Sequence, residues 1–211
     1  MNLILFQERI LEGDIEGIKT LTEQSISEEI PAGMIINEHL IPAMREVGRL
    51  YEAGEKFIPE MLMSARAMQT SMGLLKPLIV GDEVKIAGSV VLGTVEGDLH
   101  DIGKTLVGVM LEGAGFEVLD LGTDVKPGEF VEAVRDVGPV IVGMSALLTT
   151  TMPVMEETID ALEEAGLRDS VKVMVGGAPI TADFAASIGA DGFAEDAGAA
   201  VRKARELVGV G

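Results

Sequence analysis

Five short apolar segments alternate with helix-length segments from residue 86 onward, and this alternation limits the fold more than any other feature of the chain. Short apolar runs bounded by glycine are typical of buried strands, and helices between them return the chain so that successive strands run parallel. The sequence therefore predicts a five-stranded, doubly wound parallel sheet of the flavodoxin-like (Rossmann-type) class. The strands are predicted at Ile86–Val95, Glu117–Leu121, Val140–Ser145, Lys172–Val175 and Asp191–Ala194. The helices are predicted near residues 102–114, 127–137, 151–166, 181–188 and 196–208.

The first 80 residues follow a different pattern, which predicts an antiparallel bundle of about four helices. Apolar residues recur there at three- and four-residue spacing, and Asp14 is placed to cap the second helix. Ser27 is expected to open a third helix that Pro31 and Pro42 break or bend. Pro59 suits the first turn of a fourth helix. The chain is thus predicted to hold a helical cap domain of residues 1–80 and an α/β domain of residues 86–211.

Composition excludes several classes of function. The net charge of −19 at pH 7 argues against a nucleic-acid partner, which needs a clustered basic surface. The chain has no long uninterrupted apolar run and no basic leader with a cleavage site, so neither a membrane span nor a signal peptide is expected. The absence of cysteine excludes thiolate chemistry and fits a cytoplasmic location. The acidic surface either serves solubility or steers the chain toward basic patches on partner proteins.

The segment Gly97–Lys104 carries the most informative motif. It places His100, with Asp98 two residues earlier and Gly103 three residues later, at the carboxyl end of the first predicted strand. Ligands bind at that edge of an open α/β sheet. The Asp-x-His spacing lets a carboxylate hold one ring nitrogen while the other faces a metal. A satisfied loop histidine is the alternative, whereas His39 has no carboxylate at ligand spacing and is interpreted as structural.

Two further clusters follow predicted strands at the same edge of the sheet. Ser145 and the hydroxyl side chains up to Thr151 follow the third strand, and Gly176-Gly177 follows the fourth. Glycines and short side chains let a large planar or elongated ligand approach the backbone. Three loops that converge on one edge favour a cofactor site over ordinary packing.

These elements together resemble a known family. The series Asp98-x-His100-x-x-Gly103, Ser145-x-Leu147 and Gly176-Gly177 is similar to the signature of cobalamin-binding domains that take the cofactor with its own base displaced. Residues 47–60 and the following Ser64-Ala65-Arg66 resemble the helical cap of cobalamin-dependent methionine synthase. A cap joined to a cobalamin domain resembles the small corrinoid proteins of methyltransferase systems.

The resemblance implies a role for each site residue. His100 would be the lower axial ligand of the corrinoid cobalt, and Asp98 would accept its other ring N–H. Thr151 would complete a ligand–acid–hydroxyl relay, with threonine where methionine synthase has serine. Tyr51, Ile58 and Met61 match the cap positions that shield the methyl group. The cofactor slot would also be lined by Asp101, Ile102, Gly103, Ser145, Leu147, Thr149, Gly176 and Gly177.

The same resemblance implies a methyl carrier rather than a complete enzyme, cycling between cobalt(I) and methyl-cobalt(III) and holding the methylcobalamin form. A substrate-specific corrinoid methyltransferase would load the methyl group from a methylamine, betaine, methanol or methoxy-aromatic substrate. An acceptor methyltransferase would transfer it to a tetrahydrofolate-type or thiol acceptor, and a reductive activase is a further expected partner. The linker around Lys76–Lys85 is the expected hinge by which the cap would move aside.

Three other functions are alternatives to the methyl carrier. The cobalamin-binding subunit of an adenosylcobalamin-dependent isomerase shares the Asp-x-His-x-x-Gly motif, but a catalytic barrel usually covers its cofactor, which leaves a helical cap without a purpose. A cobalamin sensor would need a basic recognition helix, which the sequence does not contain. A phosphoacceptor receiver domain requires an aspartate at the end of the third strand, where this chain has Met144-Ser145.

Overall fold

The computed structural model describes residues 4–79 and 87–209. The chain divides between residues 86 and 87 into a helical unit and an α/β unit, with the turn Gly113–Gly115 grouped with the helical unit. Of the predicted linker around Lys76–Lys85, the part from residue 80 onward lies outside the described residues. Within the described ranges, no helix combines the length and the hydropathy needed to cross a membrane.

The helical unit is built from helices whose apolar faces meet in its core. Phe6, Ile10, Ile18, Leu40 and Met61 are completely buried there. The helices are α1 (Ile4–Glu12), α2 (Ile15–Ser27), α3 (Ala32–Ile35), a π-helical turn (Ile36–Leu40), α4 (Ile41–Glu52) and α5 (Ile58–Leu75), followed by a 3₁₀ turn (Lys76–Leu78).

The ends of these helices test the sequence predictions. The predicted cap is confirmed, because Asp14 accepts the backbone N–H of Gly17 at 2.9 Å. The predicted helix start at Ser27 is wrong: Ser27 is the last residue of α2. The next helix follows Pro31, because the residue before a proline is disfavoured in the helical conformation.

Pro42 does not break the helix: helical residues run without a gap from Ala32 through the π-helical turn to Glu52. The helix widens into the π turn directly before α4. His39 belongs to that π turn, and its ring stacks on the ring of Phe6 with centroids 6.3 Å apart. This packing agrees with the structural interpretation of His39.

The α/β unit confirms the predicted five-stranded parallel sheet. Its strand order is β2-β1-β3-β4-β5, the flavodoxin-like order, and all pairs are parallel. The strands are β1 (Gly88–Thr94), β2 (Phe116–Asp120), β3 (Ile141–Ser145), β4 (Lys172–Gly176) and β5 (Gly192–Ala194). The helices are α6 (Ile102–Gly113), α7 (Pro127–Val137), α8 (Pro153–Glu164), α9 (Ala182–Ser187) and α10 (Ala197–Val208).

Helices on both faces of the sheet explain why the central strands are apolar throughout. Val90 to Val95 are buried without alternation, and so are Ile141 to Met144 in β3. β1 lies between β2 and β3, so the chain reverses its direction of strand addition at β1 and β3. The carboxyl ends of β1 and β3 therefore flank the topological switch point, where a crevice for a ligand forms.

Candidate functional site

Asp98 is the centre of a hydrogen-bond cluster at this switch point. Its side chain is completely buried. Oδ1 accepts the backbone N–H of His100 at 3.0 Å and lies 2.7 Å from His100 Nδ1. Oδ2 accepts the backbone N–H groups of Leu147 at 2.7 Å and Leu148 at 3.1 Å, and it lies 3.0 Å from Thr151 Oγ1. The carboxylate thus joins the loop after β1 to the loop after β3.

The loop after β1 is shaped by a tight turn. Gly97 has a φ of +81°, and the N–H of Asp98 donates to the carbonyl of Val95 at 3.1 Å. The turn lowers Asp98 into the crevice, and the chain then enters α6 at Ile102. Gly97 is therefore a conformational requirement of the motif, because side chains other than glycine rarely adopt this backbone region.

The hydrogen bonds keep Asp98 ionised in spite of its burial. Burial on its own raises the pKa of a carboxyl group, but the donors of His100, Leu147 and Leu148 outweigh it and hold the pKa of Asp98 far below its ordinary value. The carboxylate of Asp98 therefore stays ionised beside the imidazole. In the neutral ring the N–H is on Nδ1, facing the carboxylate, which leaves the lone pair on Nε2.

His100 combines a fixed ring with access from outside. Its side chain is 53% exposed, although Asp98 holds one of its nitrogens. Large apolar side chains next to it in the two loops are also exposed: Leu99, Ile102, Leu147 and Leu148. An oriented imidazole among exposed apolar side chains suits a large, flat metal macrocycle that would cover them when bound.

Glycines after β4 bring two loops close together. A Cβ added to Gly177, whose φ is +133°, would lie 1.8 Å from the carbonyl oxygen of Ala146. A Cβ on Gly176 would lie 3.0 Å from the carbonyl oxygen of Ala194. By contrast, a Cβ on Gly103 would have no protein atom within 4 Å, so that glycine leaves open space at the start of α6. Gly103 therefore leaves open space that fits the predicted corrinoid, whereas Gly176 and Gly177 allow the close approach of neighbouring backbone.

The structure brings most of the predicted α/β residues to one edge. Asp98, His100 and Thr151 are in direct contact, and the backbone of Leu147 belongs to the same cluster. Ser145 ends β3, Asp101 and Thr149 are exposed in the flanking loops, and Ile102 is exposed at the first position of α6. Their contacts with a cofactor remain predictions.

The predicted lid residues lie in the helical unit. Tyr51 is near the end of α4 and is half-buried, whereas Ile58 is 38% exposed at the start of α5. Met61 is completely buried, so its side chain is part of the helical core. Their role as a shield over a methyl group remains a prediction.

Sequence reasoning missed several residues of this site. Thr94 Oγ1 donates to the carbonyl of His100 at 3.0 Å. Asp124 accepts the N–H of Gly97 at 2.7 Å, and its own N–H donates to the carbonyl of Asp98 at 3.0 Å. Leu148 adds a second backbone donor to Asp98. A signal for Asp124 was present, since it follows the second predicted strand at the same sheet edge.

Known proteins match both units of the chain. A B12 binding domain matches residues 88–202, and a second family described as a B12 binding domain matches residues 6–76. A corrinoid protein of Desulfitobacterium hafniense is 42% identical over 206 residues, which cover 96% of this chain and 95% of that protein. Dimethylamine corrinoid protein 1 of Methanosarcina acetivorans is 48% identical over 181 residues, or 85% of each chain.

A solved structure agrees with these matches. One chain of the crystal structure of the methanol:cobalamin methyltransferase complex from Methanosarcina barkeri superposes with a TM-score of 0.88 at 32% identity. The superposition covers 97% of this chain and 78% of that chain.

Proposed function

This chain belongs to the corrinoid proteins that carry a B12 binding domain, and from that premise we propose that it is a methyl carrier that serves separate methyltransferases. The observation that supports the proposal most directly is the Asp98–His100–Thr151 cluster, which presents one oriented imidazole at an open sheet edge. When bound, the corrinoid would supply a cobalt centre that can take up a methyl group and give it up again.

In this role the protein would supply one ligand to the metal. His100 would hold the cobalt through Nε2, and Asp98 keeps the ring in the tautomer that leaves Nε2 unprotonated. Because hydrogen bonds hold the pKa of Asp98 low, its carboxylate stays ionised and continues to face the ring nitrogen. Thr151 and the amides of Leu147 and Leu148 keep this carboxylate in place.

The partners belong to the proposal as well. A methylamine or methanol substrate is the first class to test, because relatives bear the names dimethylamine corrinoid protein and methanol:cobalamin methyltransferase. A substrate-specific methyltransferase would load the methyl group. A second methyltransferase would pass it to a tetrahydrofolate-type or thiol acceptor, and a reductive activase would restore an oxidised cobalt.

The axial ligand is tested by electron paramagnetic resonance of the reconstituted protein in the cobalt(II) state. Nitrogen-15-labelled protein is loaded with unlabelled cobalamin and desalted, and its spectrum is compared with that of His100→Ala. We expect stoichiometric corrinoid and a nitrogen splitting that follows the protein's isotope in the unchanged chain and is absent in the variant. His39→Ala is the matched control, because His39 is the only other histidine in the sequence. A splitting that follows the cofactor's isotope would contradict the assignment of His100.

The carrier role is tested by loading. The reconstituted, reduced chain is mixed with a dimethylamine or methanol corrinoid methyltransferase and isotopically labelled substrate. We expect label on the corrinoid held by this chain. The His39→Ala control should carry the same amount of label as the unchanged chain. Retention of corrinoid without label from any methylamine, methanol, betaine or methoxy-aromatic donor would refute the methyl carrier while leaving cobalamin binding intact.

A further inference from the structure

The loop between β2 and α7 holds the histidine loop at two points through one residue. The backbone N–H of Asp124 donates to the carbonyl of Asp98 at 3.0 Å. Its carboxylate Oδ1 accepts the N–H of Gly97 at 2.7 Å. Asp124 therefore binds the main chain on both sides of the peptide that joins Gly97 to Asp98.

Further hydrogen bonds connect the neighbours of Asp124 to the backbone of His100. The N–H of Val125 donates to the carbonyl of Thr94 at 3.0 Å, and Thr94 Oγ1 donates to the carbonyl of His100 at 3.0 Å. At the start of the same loop, the buried ammonium of Lys104 in α6 binds both carboxylate oxygens of Asp120. Asp120 Oδ1 also accepts the N–H of Gly122 at 2.8 Å. The loop is thus anchored to the elements on either side of the histidine motif.

The backbone conformation of Asp124 would suit glycine, so the aspartate side chain must have a role of its own. Its φ is +59°, a region that glycine adopts most easily and asparagine or aspartate tolerate. A glycine would satisfy the turn equally well but would leave the N–H of Gly97 without its carboxylate partner. The chain has an aspartate in this strained position, where its side chain bonds the turn that lowers Asp98 into the crevice.

We propose that Asp124 is a positioning residue for the axial histidine, acting through Gly97 and Asp98. The proposal rests on the assignment of His100 as the cobalt ligand. Asp124 does not touch His100 in the described contacts; it sets the main chain from which Asp98 reaches the imidazole. Loss of its carboxylate lets Asp98 and the ring shift together, so the fraction of protein with the histidine on the metal falls while the glycine-lined slot remains.

Two variants of Asp124 distinguish the effect of its side-chain acceptor from the effects of its backbone conformation and its charge, and a third variant is the control. Asp124→Gly keeps the positive φ but removes the acceptor for Gly97. Asp124→Asn keeps a side-chain oxygen and tolerates the same φ but removes the charge. Glu29→Gly is the matched control, because Glu29 is the other described non-glycine residue with positive φ, at +57°, and it lies in the helical unit.

The first measurement is amide hydrogen exchange in the protein without cofactor. We expect the Gly97 amide of Asp124→Gly to exchange about fivefold faster, the effect of one lost hydrogen bond of ordinary strength. Asp124→Asn and Glu29→Gly should keep the exchange rate of the unchanged chain at Gly97. Equal exchange at Gly97 in Asp124→Gly and in the unchanged chain would overturn the proposal, whatever the cofactor does.

The second measurement is the protein-derived nitrogen splitting in the cobalt(II) state at equal corrinoid content. We expect Asp124→Gly to lose a large part of the histidine-ligated fraction, Asp124→Asn to restore it, and Glu29→Gly to leave it unchanged. An unaltered fraction in Asp124→Gly would overturn the positioning role even if exchange accelerates. Absence of protein-derived splitting in the unchanged chain would instead refute the assignment of His100, so the two failures give different results.

Discussion

At the scale of single residues, the site depends on one buried charge that five donor atoms surround. Asp98 has no exposed side-chain surface, and its oxygens lie against the His100 N–H and ring, the N–H groups of Leu147 and Leu148, and Thr151 Oγ1. An ionised carboxylate without such donors would be far too costly to bury. Each donor thus contributes to stability as well as to the orientation of His100.

Thr151 allows one of these contributions to be measured. Thr151→Val keeps the shape but removes the hydroxyl from a buried, charged acceptor, and we expect the free energy of unfolding to fall by about 1–3 kcal/mol. Thr151→Ser keeps the hydroxyl and loses one methyl group, which is worth about 0.8 kcal/mol. Urea unfolding of the cofactor-free chain measures both. A Thr151→Val chain as stable as the unchanged chain would show that the hydroxyl contributes nothing to stability.

Local spacing explains which site residues were predictable. The Asp98–His100 pair is encoded within three adjacent positions, and Thr151 was located through the resemblance of its loop to the cobalamin-binding family. Asp124 and Thr94 act through contacts with the main chain, and no residue spacing marks such contacts. The loop after β2 gives a weaker sequence signal, because its Gly122-Thr123-Asp124 segment lacks the glycine pair or hydroxyl run that distinguishes the other loops.

At the scale of elements, strand positions were predictable because burial on both faces gives unbroken apolar runs. β3 is predicted one residue longer than it is, and α7 is found at the predicted 127–137. The start of the third helix was not predictable from Ser27, because serine suits a helix end as well as a beginning. The restriction that Pro31 places on Ile30 decided where that helix begins.

Two glycines at the ends of elements differ in what surrounds them: Gly177 is in close contact with backbone, whereas Gly103 faces open space. In Gly177→Ala the new Cβ would overlap the Ala146 carbonyl after β3, at a φ of +133°, so we expect a loss of roughly 2–4 kcal/mol in the free energy of unfolding. In Gly103→Ala the Cβ enters open space, and a change within about 1 kcal/mol is expected. Thermal or urea unfolding without cofactor measures both effects.

The variants Gly103→Ala and Gly177→Ala also test the predicted cofactor slot. If Gly103 lines the corrinoid site, Gly103→Ala keeps its fold but retains less cobalamin after desalting than the unchanged chain. Full retention by Gly103→Ala would remove Gly103 from the cofactor-binding residues, and a Gly177→Ala variant as stable as the unchanged chain would contradict the close approach of the two loops.

At the scale of the whole molecule, the two-unit organisation follows from composition as much as from motif. Only 7 of the 26 glycines precede residue 86, and glycines end the strands and helices of the α/β unit, where many turns are needed. The net charge of −19 spreads over both parts of the sequence, so the compact chain carries strong self-repulsion. The acid dependence of stability therefore combines this general term with individual carboxylates that the fold stabilises.

Asp191 is the carboxylate through which this dependence is best examined, since it lies at the amino end of β5, away from His100 at the opposite sheet edge. Its oxygens accept the Val173 N–H at 2.8 Å and pair with Arg168 at 2.8 Å and Lys172 at 3.4 Å. Burial raises the pKa of Asp191. The hydrogen bonds from Val173 and Arg168 and the positive charges of Arg168 and Lys172 lower this pKa by more, so the net shift is downward.

A lowered folded-state pKa means that the ionised form stabilises the fold above the unfolded-state pKa of about 4, and that this contribution is lost as the pH falls below it. Asp191→Asn should therefore lower the free energy of unfolding by about 1–3 kcal/mol at pH 7, and the difference from the unchanged chain should shrink toward pH 3. Urea unfolding at constant ionic strength across this range measures it, with Asp160→Asn on the exposed face of α8 as the control for lost charge. A difference that stays constant from pH 7 to pH 3 would mean that Asp191 acts through packing, and the acid sensitivity of the α/β unit would then have to come from other carboxylates such as Asp98.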